Sequence, residues 1–505
     1  MDWKMRASNR TVLVSLIVIG IITSAYYFSW WFKWGRHTDP LHFLFLIGML
    51  IYVTTQVFFV WYIYLHARKP EIPGKDSGRA YSVDVYLPTY NEPVELIEST
   101  LRAVVHIRYP HTTYVIDDGC NDQVKRISRV HGATYIRRSN TQDNKAGNIN
   151  NALKQSSGEI IVVFDIDHVP QPDFLDYVIP YFDDPGIGVV QVALDHYNKD
   201  ENFIAAAAGR MSDEFFAATM SGMNRLGCAL VFGSNAIFRR SALLSLGGYR
   251  PGLAEDLNTS VHLHASGWKS VYLPLSLAKG LVPADLDAFY KQQSKWARGV
   301  FDVLFNVMPK LAGRLDAHQL LCYATRMTYY LAGPVIGFHI ALTILAPFFP
   351  THMDSIGDYI QRGIPFVASY IAVHMAAYNA FALKPGKVQT ELRGILLALS
   401  SWPVYSLAFI SAILKREPKF ISTPKDHTRK SSIRLIIPQL MTVAFLLVSL
   451  FVHVQTSSSL NWNFVILVFI LVIIHLGLVP AAFGHHETLI HSRSTRIKGT
   501  WSQIF

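Results

Sequence analysis

The chain has 505 residues, half of them apolar and only 16% charged, with a formal net charge of +10. That is long enough for two or three domains, too apolar for a purely soluble chain and too charged in its middle for a pure membrane bundle. The excess base lies beside apolar runs rather than in a stripe interleaved with aromatics, so the lipid bilayer is the expected partner and nucleic acid is not.

In chain order, residues 1–67 read as an N-terminal membrane region with two spans, 11–31 and 42–65. The first follows Lys4, Arg6 and Arg10, and it is too long for a signal-peptide core. Four more apolar runs, 327–349, 364–383, 435–454 and 464–483, fall in a C-terminal membrane region, 314–484. Each has the roughly 20 residues a bilayer core requires. The run 392–414 contains Ser400, Ser401 and Pro403. Counted as a span, it would put the basic stretch 415–434 outside, against the positive-inside rule. Laid along the inner face as an interfacial helix, it leaves about six spans with both termini cytoplasmic. The expected location is the plasma (inner) membrane.

Residues 68–313 alternate apolar runs with helical patterns. Strands are expected at 83–87, 113–116, 133–137 and 159–164, with helices at 94–106, 121–131 and 145–155. This βαβ rhythm predicts an α/β domain with a mostly parallel sheet, inserted between transmembrane helices. No G-x-G-x-x-G or Walker loop occurs, which argues against a dinucleotide or P-loop enzyme. The buried run at 159–164 leads into Asp165-Ile-Asp167-His168. Asp165 and Asp167 are alternate residues at a strand end, the edge where open α/β sheets bind ligands, and they can share one hard divalent cation. Lys145 opens a helix, where a lysine is unfavourable against the dipole unless it has an anionic partner.

Leu87-Pro-Thr-Tyr-Asn-Glu92, Asp117-Asp-Gly119, Lys145-Ala-Gly-Asn148, Asp165-Ile-Asp-His168, Ala254-Glu-Asp256 and Gln292-Gln-Ser-Lys-Trp296 stand in that order. Together they resemble the processive family-2 glycosyltransferases with a GT-A fold, and the pattern is most like bacterial cellulose synthases. The resemblance runs from about residue 80 to Lys425. It implies that Thr89, Tyr90, Glu92 and Asp117 hold a uridine, and that Lys145, Gln292 and Lys295 meet the diphosphate side of a UDP-sugar donor. Asp165 also meets the donor nucleotide and, with Asp167 and His168, takes Mg2+ or Mn2+. Asp256 is the implied general base and Trp296 the platform for the terminal acceptor sugar of a growing polysaccharide. Phe232, Gly233 and Ser234 match an acceptor-site motif that carries cysteine where this chain has Phe232. Thr423 and Lys425 match a loop that closes over bound nucleotide. The chain departs from the pattern at Lys295, an ammonium in place of a bidentate guanidinium, with Arg298 nearby to compensate.

The implied activity is a metal-dependent hexosyltransferase that polymerises UDP-glucose into a β-glucan with inversion and passes it across the membrane. Phe232 and Lys295 leave open another donor, another linkage or a glycolipid product, and a catalytically inactive channel or scaffold is a further alternative. The tail 485–505 is too short for a β-barrel cyclic-di-GMP domain, so control by that nucleotide within the chain is not expected. There is room for an accessory export subunit.

Overall fold

The computed structural model describes residues 7–31, 40–68, 70–74, 78–348, 353–382, 392–416, 432–457 and 459–479. Helices α1 (Ala7–Trp31) and α2 (Pro40–His66) precede the α/β unit. That unit runs β1 (Val83–Thr89), α3 (Val94–Val105), β2 (Thr112–Asp117), α4 (Asp122–Val130), β3 (Thr134–Arg137), α5 (Asn144–Leu153) and β4 (Ile160–Val163). It continues through β5 (Val169–Pro170), β6 (Ile187–Val192), β7 (Asp195–His196), α6 (Phe203–Glu214), α7 (Met220–Arg225), β8 (Ala236–Arg239) and α8 (Arg240–Ser245). The last elements are α9 (Glu255–Ala265), β9 (Lys269–Leu273), β10 (Ala278–Gly280) and α10 (Leu286–Asn306).

Seven strands form one sheet in the order β3-β2-β1-β4-β8-β6-β9. Strands β3, β2, β1 and β4 are mutually parallel, and each crossover between them is a helix. β8 runs antiparallel to both neighbours, so the sheet is mixed rather than uniformly parallel. The β4 run Ile160-Ile-Val-Val163 is fully buried, as expected of a strand covered on both faces. Register places Thr89 opposite Asp117, so the carboxyl ends of β1 and β2 stop together. A second sheet, β5-β10-β7, flanks the same edge.

Beyond α10 come α11 (Met308–Leu311), α12 (Ala317–Thr328), α13 (Ala332–Leu345), α14 (Met353–Phe381), α15 (Leu392–Ser400), α16 (Trp402–Ile413), α17 (Ile437–Thr456) and α18 (Trp462–Leu476). Among the described residues, five helical stretches are long and apolar enough to cross a membrane, and α15 with α16 pass the same test as a pair bent by 41°. The chain is therefore a multi-pass membrane protein. The segment expected to be one interfacial helix is two helices, broken at Ser401, whose hydroxyl donates back to the Leu397 carbonyl, with Pro403 in the first turn of α16. α18 is a 15-residue helix, shorter than the run expected at 464–483.

The α/β unit and the membrane helices share one core. Ile63 of α2, Met220 and Met223 of α7, Leu257 and Val261 of α9, Phe301 of α10, Met327 of α12 and Tyr405 of α16 belong to a single buried apolar cluster. The amphipathic helix expected around 287–305 is α10, and it packs along α16. Its approach to α9 depends on Gly299, where a β-carbon would lie 2.6 Å from the Ala254 backbone nitrogen. Any larger residue forces the two apart. Gly299→Val is expected to lower the thermal midpoint in detergent, consistent with an overpacking cost of about 1–3 kcal/mol. Ser294→Ala, on an exposed face of the same helix, should leave the midpoint unchanged; thermal unfolding of the two variants side by side checks this.

Candidate active site

Asp117 ends β2 with its carboxylate buried. Thr89 Oγ1 (2.9 Å) and Gly119 N (2.8 Å) donate to one oxygen, while Asn121 N and the Tyr135 hydroxyl (both 2.8 Å) donate to the other. Four donors use the acceptor capacity of a carboxylate, so a bound base would meet Asp117 in competition with these bonds. Thr89 is itself buried behind Asp117. Tyr90, by contrast, is 44% exposed, its ring open to a stacking partner. Glu92 folds back to accept from the Tyr90 backbone nitrogen.

The neighbouring Asp118 forms a buried bidentate pair with Arg138, at 2.6 and 2.7 Å. Arg138 also donates to the Asn144 carbonyl at 2.7 Å. The end of β2 is thereby tied to the start of α5, the helix that carries Lys145.

Lys145 Nζ donates to Asp165 Oδ1 and, at 2.7 Å, to the Gly233 carbonyl. Burial works against the ammonium, but Asp165, Glu255 and Asp256 outweigh it and raise its pKa above the ordinary lysine value. The Asp165 backbone nitrogen donates to Ser234 Oγ at 2.9 Å, and Thr100 Oγ1 holds the Ile166 carbonyl at 2.6 Å, which fixes the Asp165–Asp167 turn. Ser234, expected beside an acceptor, is fully buried, and its hydroxyl accepts from the Asp165 backbone.

Asp165, Asp167 and His168 offer ligand atoms within 4.8 Å of one another. Asp167 Oδ1 lies 3.4 Å from His168 Nδ1, and the buried Nε2 of that ring has no hydrogen-bond partner among the described residues. Two carboxylates and one imidazole fit a hard or borderline divalent ion such as Mg2+ or Mn2+.

Gly233 adopts φ +73°, a conformation glycine takes without strain. A β-carbon there would lie 3.3 Å from Lys145 Nζ and 3.6 Å from Asp256 Oδ2. Lys145, Asp165 and Asp256 thus converge on one backbone turn. Phe232, just before it, packs edge-on against Phe215 and Phe216 at 5.1 and 5.2 Å. Gln191 shapes the turn by accepting from Phe232 N (2.9 Å) and donating to the Ser234 carbonyl (2.8 Å).

The helix expected to follow Asp256 begins at Glu255, so both carboxylates lie in the first turn of α9, where the dipole favours them. Burial, and then repulsion from Glu255, push the Asp256 carboxyl up to about 7, while the Leu257 N–H, Lys145 and Arg326 pull the other way. On α10, Gln292, Lys295 and Trp296 share a face by their spacing, and Trp296 is 41% exposed. Arg298 does not stand in for Lys295: it is buried, paired with Asp302, and donates to Ser411 Oγ (3.0 Å) and the Arg416 carbonyl (2.7 Å). Thr423, Lys425 and the tail 485–505 lie outside the described residues. Arg138, Gln191 and Arg326 were not expected; Gln191, a lone polar side chain in an apolar strand, carried the only local signal.

The seven-stranded sheet is GT-A-like, with acidic groups gathered at the carboxyl ends of its parallel strands, and residues 81–299, most of the α/β unit, match the family described as glycosyltransferase like family 2. The chain's relatives include the cellulose synthase catalytic subunit [UDP-forming] of Pseudomonas fluorescens (strain SBW25), 30% identical over 345 residues, 64% of this chain and 46% of that one. The subunit of the same description from Xanthomonas axonopodis pv. citri (strain 306) is 29% identical over 341 residues, 64% of this chain and 47% of that one. The chain spans about half the length of these relatives. Among solved structures, the mannosyltransferase PcManGT from Pyrobaculum calidifontis, in complex with GDP-Man and Mn2+, superposes with a TM-score of 0.50. It is 18% identical, covering 74% of this chain and 99% of that chain, a likeness of fold.

The raised Asp256 pKa has a sign that can be read. The folded protein holds a proton that the unfolded chain releases near pH 4, so this residue's contribution to stability is complete below that pH. It is lost as pH rises towards about 7. Asp256→Asn, which mimics the protonated form, should therefore unfold at a higher temperature than the wild type at pH 8, with the difference shrinking towards pH 4. Thermal unfolding at the two pH values tests it.

Proposed function

We propose that this protein is a membrane-embedded, processive, inverting glycosyltransferase that polymerises glucosyl units from UDP-glucose into a β-glucan of the cellulose type and passes the product through its own membrane helices. One observation carries the reading: Asp256 shares the Gly233 turn with Lys145 and Asp165, while the Trp296 helix seats directly on the Asp256 loop and packs along α16. A donor pocket is thereby joined to the membrane helices with no intervening linker. The α/β domain and both termini are assigned to the cytoplasmic face of the plasma (inner) membrane, where nucleotide sugars are made.

The chemistry needs little beyond these groups. Tyr90 stacks on the base, and Lys145 turns its ammonium from Asp165 towards the diphosphate. Asp165, Asp167 and His168 would hold Mg2+ or Mn2+, which supplies charge neutralisation for the diphosphate leaving group. Trp296 presents a flat apolar face to the terminal sugar of the acceptor. Asp256 accepts the proton of the acceptor hydroxyl as its oxygen forms the new bond to the anomeric carbon. The bond from that carbon to UDP breaks on the opposite side, and the configuration inverts. A carboxyl with a pKa near 7 is a stronger base than an ordinary aspartate.

A second reading, the same transfer with a different linkage or a short glycolipid product, is favoured by one observation. Phe232 and its two phenylalanine neighbours fill the acceptor side of the Gly233 turn with aromatic bulk.

Purified protein in lipid nanodiscs should release UDP from UDP-glucose only with Mg2+ or Mn2+, and its product should dissolve with a β-1,4-specific cellulase. Asp256→Asn should still bind UDP but lose about 100-fold or more in turnover. Turnover in EDTA, or near-normal polymer from the Asn variant, would overturn the reading; digestion by β-1,3-glucanase instead would select the second.

A further inference from the structure

Arg326 rises from the last turn of α12 into a ring of aromatic side chains. Its guanidinium carbon lies 5.3 Å from the centroid of Phe215, 6.0 Å from Phe232 and 5.7 Å from Tyr330. Aromatic faces attract a cation without neutralising it, and among the described residues Arg326 has no carboxylate partner. A guanidinium held this way points its field at what lies nearby.

What lies nearby is Asp256. Phe232 is followed by Gly233, where a β-carbon would lie 3.6 Å from Asp256 Oδ2, so the Asp256 carboxylate, at the start of α9, faces the backbone turn that carries the Phe232 ring. The charge of Arg326 reaches that carboxylate and favours its ionised form. The other titratable groups facing Asp256 are Glu255 on its own helix, which opposes ionisation, Lys145 from α5, which favours it, and the phenols of Tyr249 and of Tyr330, the latter also hydrogen-bonded to Arg326. The Leu257 N–H donates to Asp256 at 2.7 Å. Lys145, however, is already shared between Asp165 and the Gly233 carbonyl, and a bound diphosphate draws on the same ammonium. As the donor takes up Lys145, Arg326 is left as the cation committed to Asp256.

We propose that Arg326 is a positioning residue of the transfer reaction: a fixed cation on the acceptor wall, clamped by Phe215, Phe232 and Tyr330, that acts through Asp256. The proposal rests on Asp256 being the base. It also gives Phe232 a purpose, because a cysteine there would remove one of the three faces that hold the guanidinium.

The test is the pH dependence of UDP release by the full chain in nanodiscs, from pH 5 to 9, for the wild type, Arg326→Gln, Arg326→Lys and Asp256→Asn. Arg326→Gln should move the acidic limb of kcat up by about one pH unit, the effect of a unit charge at short range through a partly solvated interior. The alkaline plateau should stay near the wild-type level. Arg326→Lys, which keeps the charge, should stay with the wild-type limb. A uniform loss of rate at every pH with the limb unmoved, or a Lys variant shifted as far as Gln, overturns the proposal. Arg326→Met supplies the neutral side chain should Gln disturb the ring, and UDP binding confirms the fold of each variant. If Asp256→Asn itself turns over near normally, the base assignment has failed, a result separate from any shift at Arg326.

Discussion

Everything at the catalytic edge depends on one ammonium. Asp165, Glu255 and Asp256 come from two different elements and would repel one another if left alone in a partly buried site. Lys145 lies among them, bonded to Asp165 and to the Gly233 carbonyl, and its charge outweighs the burial that opposes it. Breaking such a pair by removing one partner leaves an uncompensated charge, which costs far more than the pair itself is worth. On the proposed reading the same lysine turns to the diphosphate, so the interaction that assembles the site is also the one that donor binding rearranges.

Around that contact the protein builds rigidity from polar bonds that reach across the sequence. Asp118 and Arg138 fasten the end of β2 to the start of α5, Ser234 fixes the backbone of Asp165, and Gln191 shapes the Gly233 turn. Arg298 ties α10 to the C-terminal end of α16. Each fixes a backbone segment rather than touching a ligand, and together they restrain the groups proposed to do chemistry.

Much of this was legible in the sequence, for definite physical reasons. Strands β1 to β4 announce themselves by short apolar runs, and α9 and α10 by acidic starts and amphipathic spacing. Lys145 was flagged by its mismatch with the helix dipole, and the structure supplies the expected anion from within the chain, Asp165. The direction of β8 was not legible, because an apolar strand reads the same in either orientation. The four-donor cradle of Asp117 and the burial of Ser234 were also hidden, since a hydroxyl or carboxylate in a motif does not reveal whether it faces ligand or backbone. Arg298 has a local partner four positions on in Asp302, but its ties to Ser411 and the Arg416 carbonyl, the tie of Arg138 to Asp118 and the seat of Arg326 among aromatic rings are encoded by no local spacing. The break at Ser401 turned one expected helix into two because a proline in the first turn starts a new helix as readily as it weakens an old one.

Gly299 has a mechanical consequence. Where α10 meets the loop before Asp256, Gly299 rests on the backbone of Leu253 and Ala254 and on the short Ala254 methyl, with no long side chain between to flex or slide. Such a joint transmits displacement without slack, so Trp296 and Asp256 travel together or stay put.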